Sequence, residues 1–274
     1  FICLNACVVW SVVNRSFEHK IVYTALLVAP PPLAGHDRWP ANVIVGSEQE
    51  FSEPLLAAHG QVEPLEAKPG AAPGEVTTYE DLADPKWQGR ICIRSGTNDY
   101  NVALVAAMIA HHGADYAKTW LEGVKANLAR KPDGGDRDQV KAIAAGECDI
   151  AVGNTYYIGQ MLADPEQKPA AEAVRIDFPT FEGDGTHLNI SGVAMTKAAP
   201  NREAALKFME WLSSDEAQRI YAETNNEFPV KPGVARSALV ASWGEFTPDS
   251  LPLADVAAKR ADALKLIETV DFDN

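Results

Sequence analysis

The sequence predicts an α/β protein, a mostly parallel sheet covered by helices, and three observations carry that prediction. Short β-branched runs alternate with longer segments of helical period, which is the pattern of strand–helix–strand units. The chain has 274 residues, 46% of them hydrophobic, enough for two compact lobes with a sizeable core. Two strand-to-helix turns, one after "RICIR" and one after "CDIAVGN", share a single grammar of small and hydroxyl-bearing residues.

The elements follow in order. Residues 1–65 show no clear period, and "APPPLAG" breaks whatever precedes it. The run "KIVYTALLVAPPPLAG" has the composition of a signal-peptide core but stands too far along the chain to serve as one. "AKPGAAPGEV" reads as a loop, and regular structure begins at Thr77. Thr78, with Asp81 three residues on, opens a short helix that Pro85 ends or redirects. Arg90–Arg94 is the first clear strand. A helix follows, capped by Thr97 or Asn98 and stopped by Gly113, and a second covers "ADYAKTWLEGVKANLAR". Asp136 and Gln139 are spaced as a capping box for the next helix. "CDIAVGN" is a strand, "TYYIGQMLA" a helix and "VRIDFPT" a further strand. "EGDGTHLNISGVAMTKAAP" holds a turn and a strand, and "NREAALKFMEWLSSDEAQRIYAETN" gives two amphipathic helices broken at Ser213–Ser214. The segment "DSLPLADVAAKRADALKLIETV" ends in one more helix.

Charge and composition exclude some functions. The net charge is −14, which argues against nucleic acid or an anionic membrane as the main partner. No apolar run is long enough to cross a bilayer. There are four cysteines and no CxxC metal pattern. Cys92 and Cys148 lie at similar distances before the two turns, so they form a bridge if their strands are neighbours and otherwise are two buried thiols.

The two turns are where chemistry concentrates. "ICIR" runs into Ser95-Gly96-Thr97 and a helix with Tyr100 in its first turn; "DIAV" runs into Gly153-Asn154-Thr155 and a helix opening on Tyr156 and Tyr157. Ligands of open α/β sheets bind beyond the carboxyl ends of the strands, which puts all three phenols on one rim. Adjacent side chains diverge in mid-strand and mid-helix, but at a helix start both can lean over the end toward one ligand. Three clustered phenols suit a hard, highly charged cation, and three phenolates would neutralise Fe(III). The helix-start amides of Ser95, Gly96 and Thr97 form an anion site beside them, with Arg94, Arg137 and Asn154 as candidate helpers.

Each of these residues also has a plainer role. A Tyr-Tyr pair is more often half-buried packing than a ligand pair. Arg94 can simply pair with a carboxylate, and Arg137 can be a surface charge. His111 and His112 complement a helix dipole, and His187 reads as a hydrogen-bonded structural histidine. No GxSxG, P-loop, HExxH or dinucleotide fingerprint occurs. An enzyme using Tyr156 or Tyr157 as acid or base is disfavoured, since no His, Lys or carboxylate adjoins the pair in sequence.

The runs "TTYEDLADPKWQGRICIRS", "GGDRDQVKAIAAGECDIAVGNTYYIG", "GTHLNISGVAMTKAAPNREAALKFMEWLSSDEAQ" and "NEFPVKPGV" resemble the periplasmic ferric-ion-binding proteins of bacterial ABC importers. The resemblance spans residues 75 to 270. It implies a type II periplasmic-binding-protein fold of two lobes that close over Fe(III), with Tyr100, Tyr156 and Tyr157 as ligands. It also implies carbonate or another small oxyanion near Ser95, Gly96, Thr97 and Asn154, and no catalysis. The implied partner is an inner-membrane ABC permease, met transiently. The implied location is the periplasm, or a lipid anchor on a bacterium without an outer membrane. The complete protein is expected to be a monomer with no stable membrane insertion.

The expected division is an atypical N-terminal segment at 1–65, a remnant of the first lobe or disordered. A metal-bearing C-terminal lobe follows at 66–186. Residues 187–237 would belong to the N-terminal lobe and 238–274 would return to the C-terminal one, with the first lobe incomplete. Two alternatives accompany this reading: a binder of a metal-free oxyanion or carboxylate, and a non-functional truncated fragment.

Overall fold

The structure, a computed structural model, describes the backbone of residues 44–52 and residues 76–274 in full. The expectations for the signal-like run, the "APPPLAG" break and most of the "AKPGAAPGEV" loop fall outside the described residues.

Four strands form one sheet: β1 (Ile44–Ser52), β2 (Ile91–Cys92), β3 (Ile150–Asn154) and β4 (Leu188–Gly192), in the order β2-β3-β1-β4. The strand β2 runs parallel to β3, with Ile91 opposite Ile150 and Cys92 opposite Ala151. The strand β1 is antiparallel to β3, with Glu50 opposite Asn154 and Ser52 opposite Val152. The sheet is therefore mixed, because β3 takes one neighbour from a segment whose residues do not alternate and so carry no strand signal. Every residue of β3 is buried, as expected of a strand covered on both faces.

Most predicted helices form, and their ends explain why. Helix α1 (Asp99–His112) begins where the Asn98 side chain accepts a bond from the Tyr100 N–H and ends at Gly113, whose φ of 84° a side chain would disfavour. Helix α2 (Ala114–Ala126) follows at once and buries Trp120, Leu121 and Val124. Helix α3 (Asp136–Ala144) has its N-terminal box from Asp138, whose carboxylate takes the Gly135 N–H at 2.8 Å. Asp136, expected as the cap, is instead buried inside the first turn, and Gln139 turns back to the carbonyls of Asp133 and Gly135. Helix α4 (Tyr156–Ala163) follows β3 directly, and the short α5 (Lys168–Glu172) follows it.

Two stretches differ from the sequence prediction. Residues 174–180 make only isolated bridges, such as Thr180 to Thr78, rather than a strand. Pro179 lacks the N–H a ladder needs, and Arg175 pairs with Asp177 two residues on. The strand expected at Arg90–Arg94 is confined to Ile91–Cys92, since the carbonyl of Ile91 bonds the amide of Ala129 and the chain then turns toward α1.

The contacts divide the described residues into two units, one of 44–47 with 190–240, the other of 48–52 and 76–189 with 241–274. In the first, α6 (Arg202–Leu212) and α7 (Asp215–Thr224) pack Ala205 and Leu212 against Val193, Phe208 and Tyr221. Ser214 breaks the two helices apart by capping the Ala217 N–H at 3.2 Å. The second unit holds the main core, built on Tyr79, Trp87, Ile91, Met108, Trp120 and Ile150. It also holds α9 (Leu253–Ala258) and α10 (Arg260–Thr269), where the sequence predicted one helix; α8 (Ala238–Ser242) precedes them.

Candidate functional site

The second unit brings together the carboxyl ends of β2 and β3 and the starts of α1 and α4. The Tyr100 and Tyr156 hydroxyl oxygens are 3.3 Å apart. The rings of Tyr156 and Tyr157 lie 4.0 Å apart between centroids, tilted by 32°. The Tyr156 and Tyr100 hydroxyls also lie close enough to Tyr157 to pull its pKa down. All three hydroxyls therefore meet at one place. Tyr156 is buried, while Tyr157 and Tyr100 are half-buried.

Two guanidinium groups flank the phenols. Arg94 lies 5.4 Å from the centre of the Tyr100 ring, and Arg137 lies 5.1 Å from that of Tyr157. Arg94 Nη1 donates to Asp136 Oδ1 at 2.5 Å, so the carboxylate-pairing role foreseen for Arg94 is present. Asp136 Oδ2 accepts from the Asn154 N–H at 2.8 Å and from its side-chain amide at 3.2 Å. The Asn154 side-chain oxygen in turn accepts from Asn189 at 3.2 Å. Asn154 is thus a buried strut that holds Asp136 and, through it, Arg94. Arg137 donates to Gln160 rather than standing alone at the surface.

Burial pushes the Tyr157 hydroxyl above the usual phenol range; bonds from Tyr156 and Tyr100 and the charge of Arg94 pull against it, and Asp136 adds to it. Burial works against the Arg94 cation as well, but the Asp136 carboxylate outweighs it and raises the Arg94 pKa further. A cavity of about 430 Å³ opens beside Tyr157, lined by Arg94, Arg137, Lys141, Asp136, Glu166 and Gln167 among others. Arg94 Nε and Arg137 Nε are buried with no hydrogen-bond partner.

Two of the three amides expected to hold an anion, those of Gly96 and Thr97, are engaged within the chain, as is the Ser95 hydroxyl. Gly96 N donates to the Asp273 carboxylate at 2.7 Å, Ser95 Oγ to the same group at 2.6 Å, and Thr97 N to Ser95 Oγ at 3.2 Å. Asp273 lies 178 residues from Ser95 in sequence, which is why no local motif announces it. Cys92 and Cys148 are bridged, with Cα atoms 5.9 Å apart, so a covalent link joins β2 to the turn entering β3.

The histidines take other partners. His111 Nε2 lies 3.1 Å from each oxygen of Asp249, and His112 bonds Glu80 at 2.5 Å. With Asp184, His111 and Asp249 offer ligand atoms all within 4.8 Å of one another. Sequence reading missed this group, since its members come from a helix and two separate loops. Asp184 already accepts three bonds, from the Ser250 and Gly185 N–H groups on Oδ1 and from the Ser250 hydroxyl on Oδ2.

Residues 63–248 match the model of a family described as bacterial extracellular solute-binding protein. Iron uptake protein A1 of Synechocystis sp. is 47% identical over 197 residues, 71% of this chain and 55% of that protein. The chain thus spans little more than half the length of that relative. Apo ferric ion-binding protein A of Pasteurella haemolytica matches with a TM-score of 0.75 at 46% identity, covering 84% of this chain and 69% of that one. A Trichodesmium protein solved in complex with iron and citrate ligands matches with a TM-score of 0.74 at 40% identity, over 83% of this chain and 69% of that one.

Proposed function

The chain belongs to the bacterial extracellular solute-binding proteins, and from that membership we propose that it captures Fe(III) through Tyr100, Tyr156 and Tyr157 as phenolates and passes it to an ABC-type importer. The observation that carries this reading is the meeting of three phenols, with Tyr100 and Tyr156 oxygens 3.3 Å apart. Neutral phenols gain little from such crowding, whereas a trivalent ion binds phenolate oxygens strongly. Iron in the names of the relatives supports the same choice of ion.

Unused hydrogen-bond donors support an accompanying oxyanion. Three phenolates cancel the ion, and Asp136 cancels Arg94. On the cavity wall Lys141 faces Asp138 at 4.0 Å and Arg137 shares the lining with Glu166, while the two unpartnered Nε groups are donors without acceptors. A carbonate-sized anion in that cavity would accept from both arginines and fill positions the phenolates leave open. The protein then works as a carrier and performs no covalent chemistry, in the periplasm or tethered outside a single-membrane cell. No helix among the described residues is long and apolar enough to cross a membrane.

Ferric citrate added to the purified chain is expected to give a visible phenolate-to-iron charge-transfer band. Replacing all three tyrosines by Phe should abolish it; a band of unchanged intensity in that variant would end the iron reading. The same arginine-lined cavity favours one second reading, a binder of a metal-free oxyanion. Calorimetry with anion alone and with iron plus anion separates the two: heat from the anion alone, unchanged by iron, selects the second.

A further inference from the structure

We propose that Asp273 is the resident anion of the loop before Tyr100, excluding free oxyanions from its amides, so that any oxyanion accompanying the ferric ion is taken on the Arg94–Arg137 side. The second clause rests on the iron reading above; the first does not.

A loop that leads into a helix N-terminus, with amides pointing outward, attracts negative charge. Here that charge belongs to the chain itself. One oxygen of Asp273 accepts from Gly96 N at 2.7 Å and the other from Ser95 Oγ at 2.6 Å. Ser95 Oγ relays the contact to Thr97 N at 3.2 Å and lies 2.9 Å from Thr97 Oγ1.

The delivery of Asp273 is itself built. Lys125 donates to the carbonyl oxygens of Val270 and Asp271, at 3.0 and 2.5 Å. Asp271 adopts a φ of 51° that turns the chain after α10. Phe272 is buried, and its ring packs so closely on Gly96 that a Cβ there would stand 2.7 Å from Phe272 Cδ1. Gly96 is thus the residue that lets the ring and the carboxylate approach together. On its other side the loop is fixed by Asn101, whose side-chain amide bonds the carbonyls of Arg94 and Ser95 at 3.0 and 3.1 Å.

A free oxyanion would have to displace a tethered carboxylate held at high effective concentration and repelling it at short range. On the arginine side Asp136 occupies Arg94 Nη1, but the Nε groups of Arg94 and Arg137 have no hydrogen-bond partner.

The test uses the iron-free full chain, labelled with nitrogen-15 and titrated with inorganic phosphate. In the wild type the Gly96 and Thr97 amide resonances should stay in place; in Asp273→Ala they should move saturably. Asp273→Asn, which is isosteric, carries the same titration should the alanine variant fail to fold, and there too the amides should become phosphate-responsive. Phosphate-dependent movement of these amides in the wild type would overturn the proposal. So would their indifference in a folded Asp273 variant. For the second clause, ferric loading of the wild type should depend on added carbonate, and Arg137→Ala should lower that dependence about tenfold. If the wild type gives no ferric colour at all while the phosphate pattern holds, the iron reading falls and the resident-anion assignment stands.

Discussion

Tyr157 releases its proton less readily than a free phenol, because burial and Asp136 oppose the anion more than Arg94 favours it. An incoming ferric ion must displace that proton, so binding and proton release are linked. At any pH below the phenol range, each tyrosine deprotonated on binding adds one unit of slope to log affinity against pH. Iron retention against a fixed chelator should therefore rise with pH and collapse on acidification. Tyr157→Phe should reduce the slope by about one unit, measured by competition at several pH values. The tyrosine pair was legible in the sequence because its placement is local, set by a buried strand, a small-residue turn and a helix start. Asp136 was misread for the opposite reason. Its role depends on Arg94, 42 residues away, and on Asn154, and a capping pattern was the nearest local explanation for an acidic residue at a helix start.

Between strands the Cys92–Cys148 link closes a loop of 56 residues in sequence separation. Loop-closure entropy for that span puts its worth at about 2–5 kcal/mol. Replacing both cysteines by Ala should lower the urea midpoint accordingly. The ferric band should fall much less, since Arg90 also ties the strands through Asp149, at 2.5 Å, and through backbone bonds to residues 149 and 150. A band lost in step with stability would show that the bridge itself spaces the phenols. At the Phe272 packing, Gly96→Ala should cost about 1–3 kcal/mol by overpacking, read as a lowered melting temperature. Caps made these elements readable: Asn98, Gly113 and Ser214 sit where their chemistry predicts. The run at 174–180 was not readable, since β-branched composition suggested a strand while Pro179, which lacks an N–H, interrupts the ladder and leaves isolated bridges.

Over the whole molecule, two buried groups, one in each unit, contribute to stability with opposite pH dependence. His187, in the larger unit, is wholly buried, and desolvation lowers its pKa to about 3. The unfolded chain protonates this histidine near 6.5 while the folded one does not, so its unit loses stability as pH falls from about 6.5 toward 3. Glu227, in the smaller unit, is raised to about 7 by burial. Its folded form keeps a proton that the unfolded chain gives up near 4.5, so that unit loses stability as pH rises from about 4.5 toward 7. Glu227→Gln should therefore raise the melting temperature at pH 8 and leave it nearly unchanged at pH 4, followed by calorimetry. No change at pH 8 would show that Glu227 ionises freely in the folded protein. The alternation of strands and helices made the α/β class legible at this scale. The sheet's antiparallel neighbour was not, because β1 and β3 are joined by register alone, across about a hundred residues of sequence.

Pairing of Cys92 with Cys148 depends on the compartment in which the molecule matures. Thiol pools inside a cell keep such sulfurs reduced, whereas secretory spaces let them couple. Protein harvested from a reducing cytosol would arrive with two sulfhydryls buried beside Ala142 and Ile143, chemically distinct from the stitched form though identical in sequence. Material routed through an export pathway is the preparation on which the ferric assays bear.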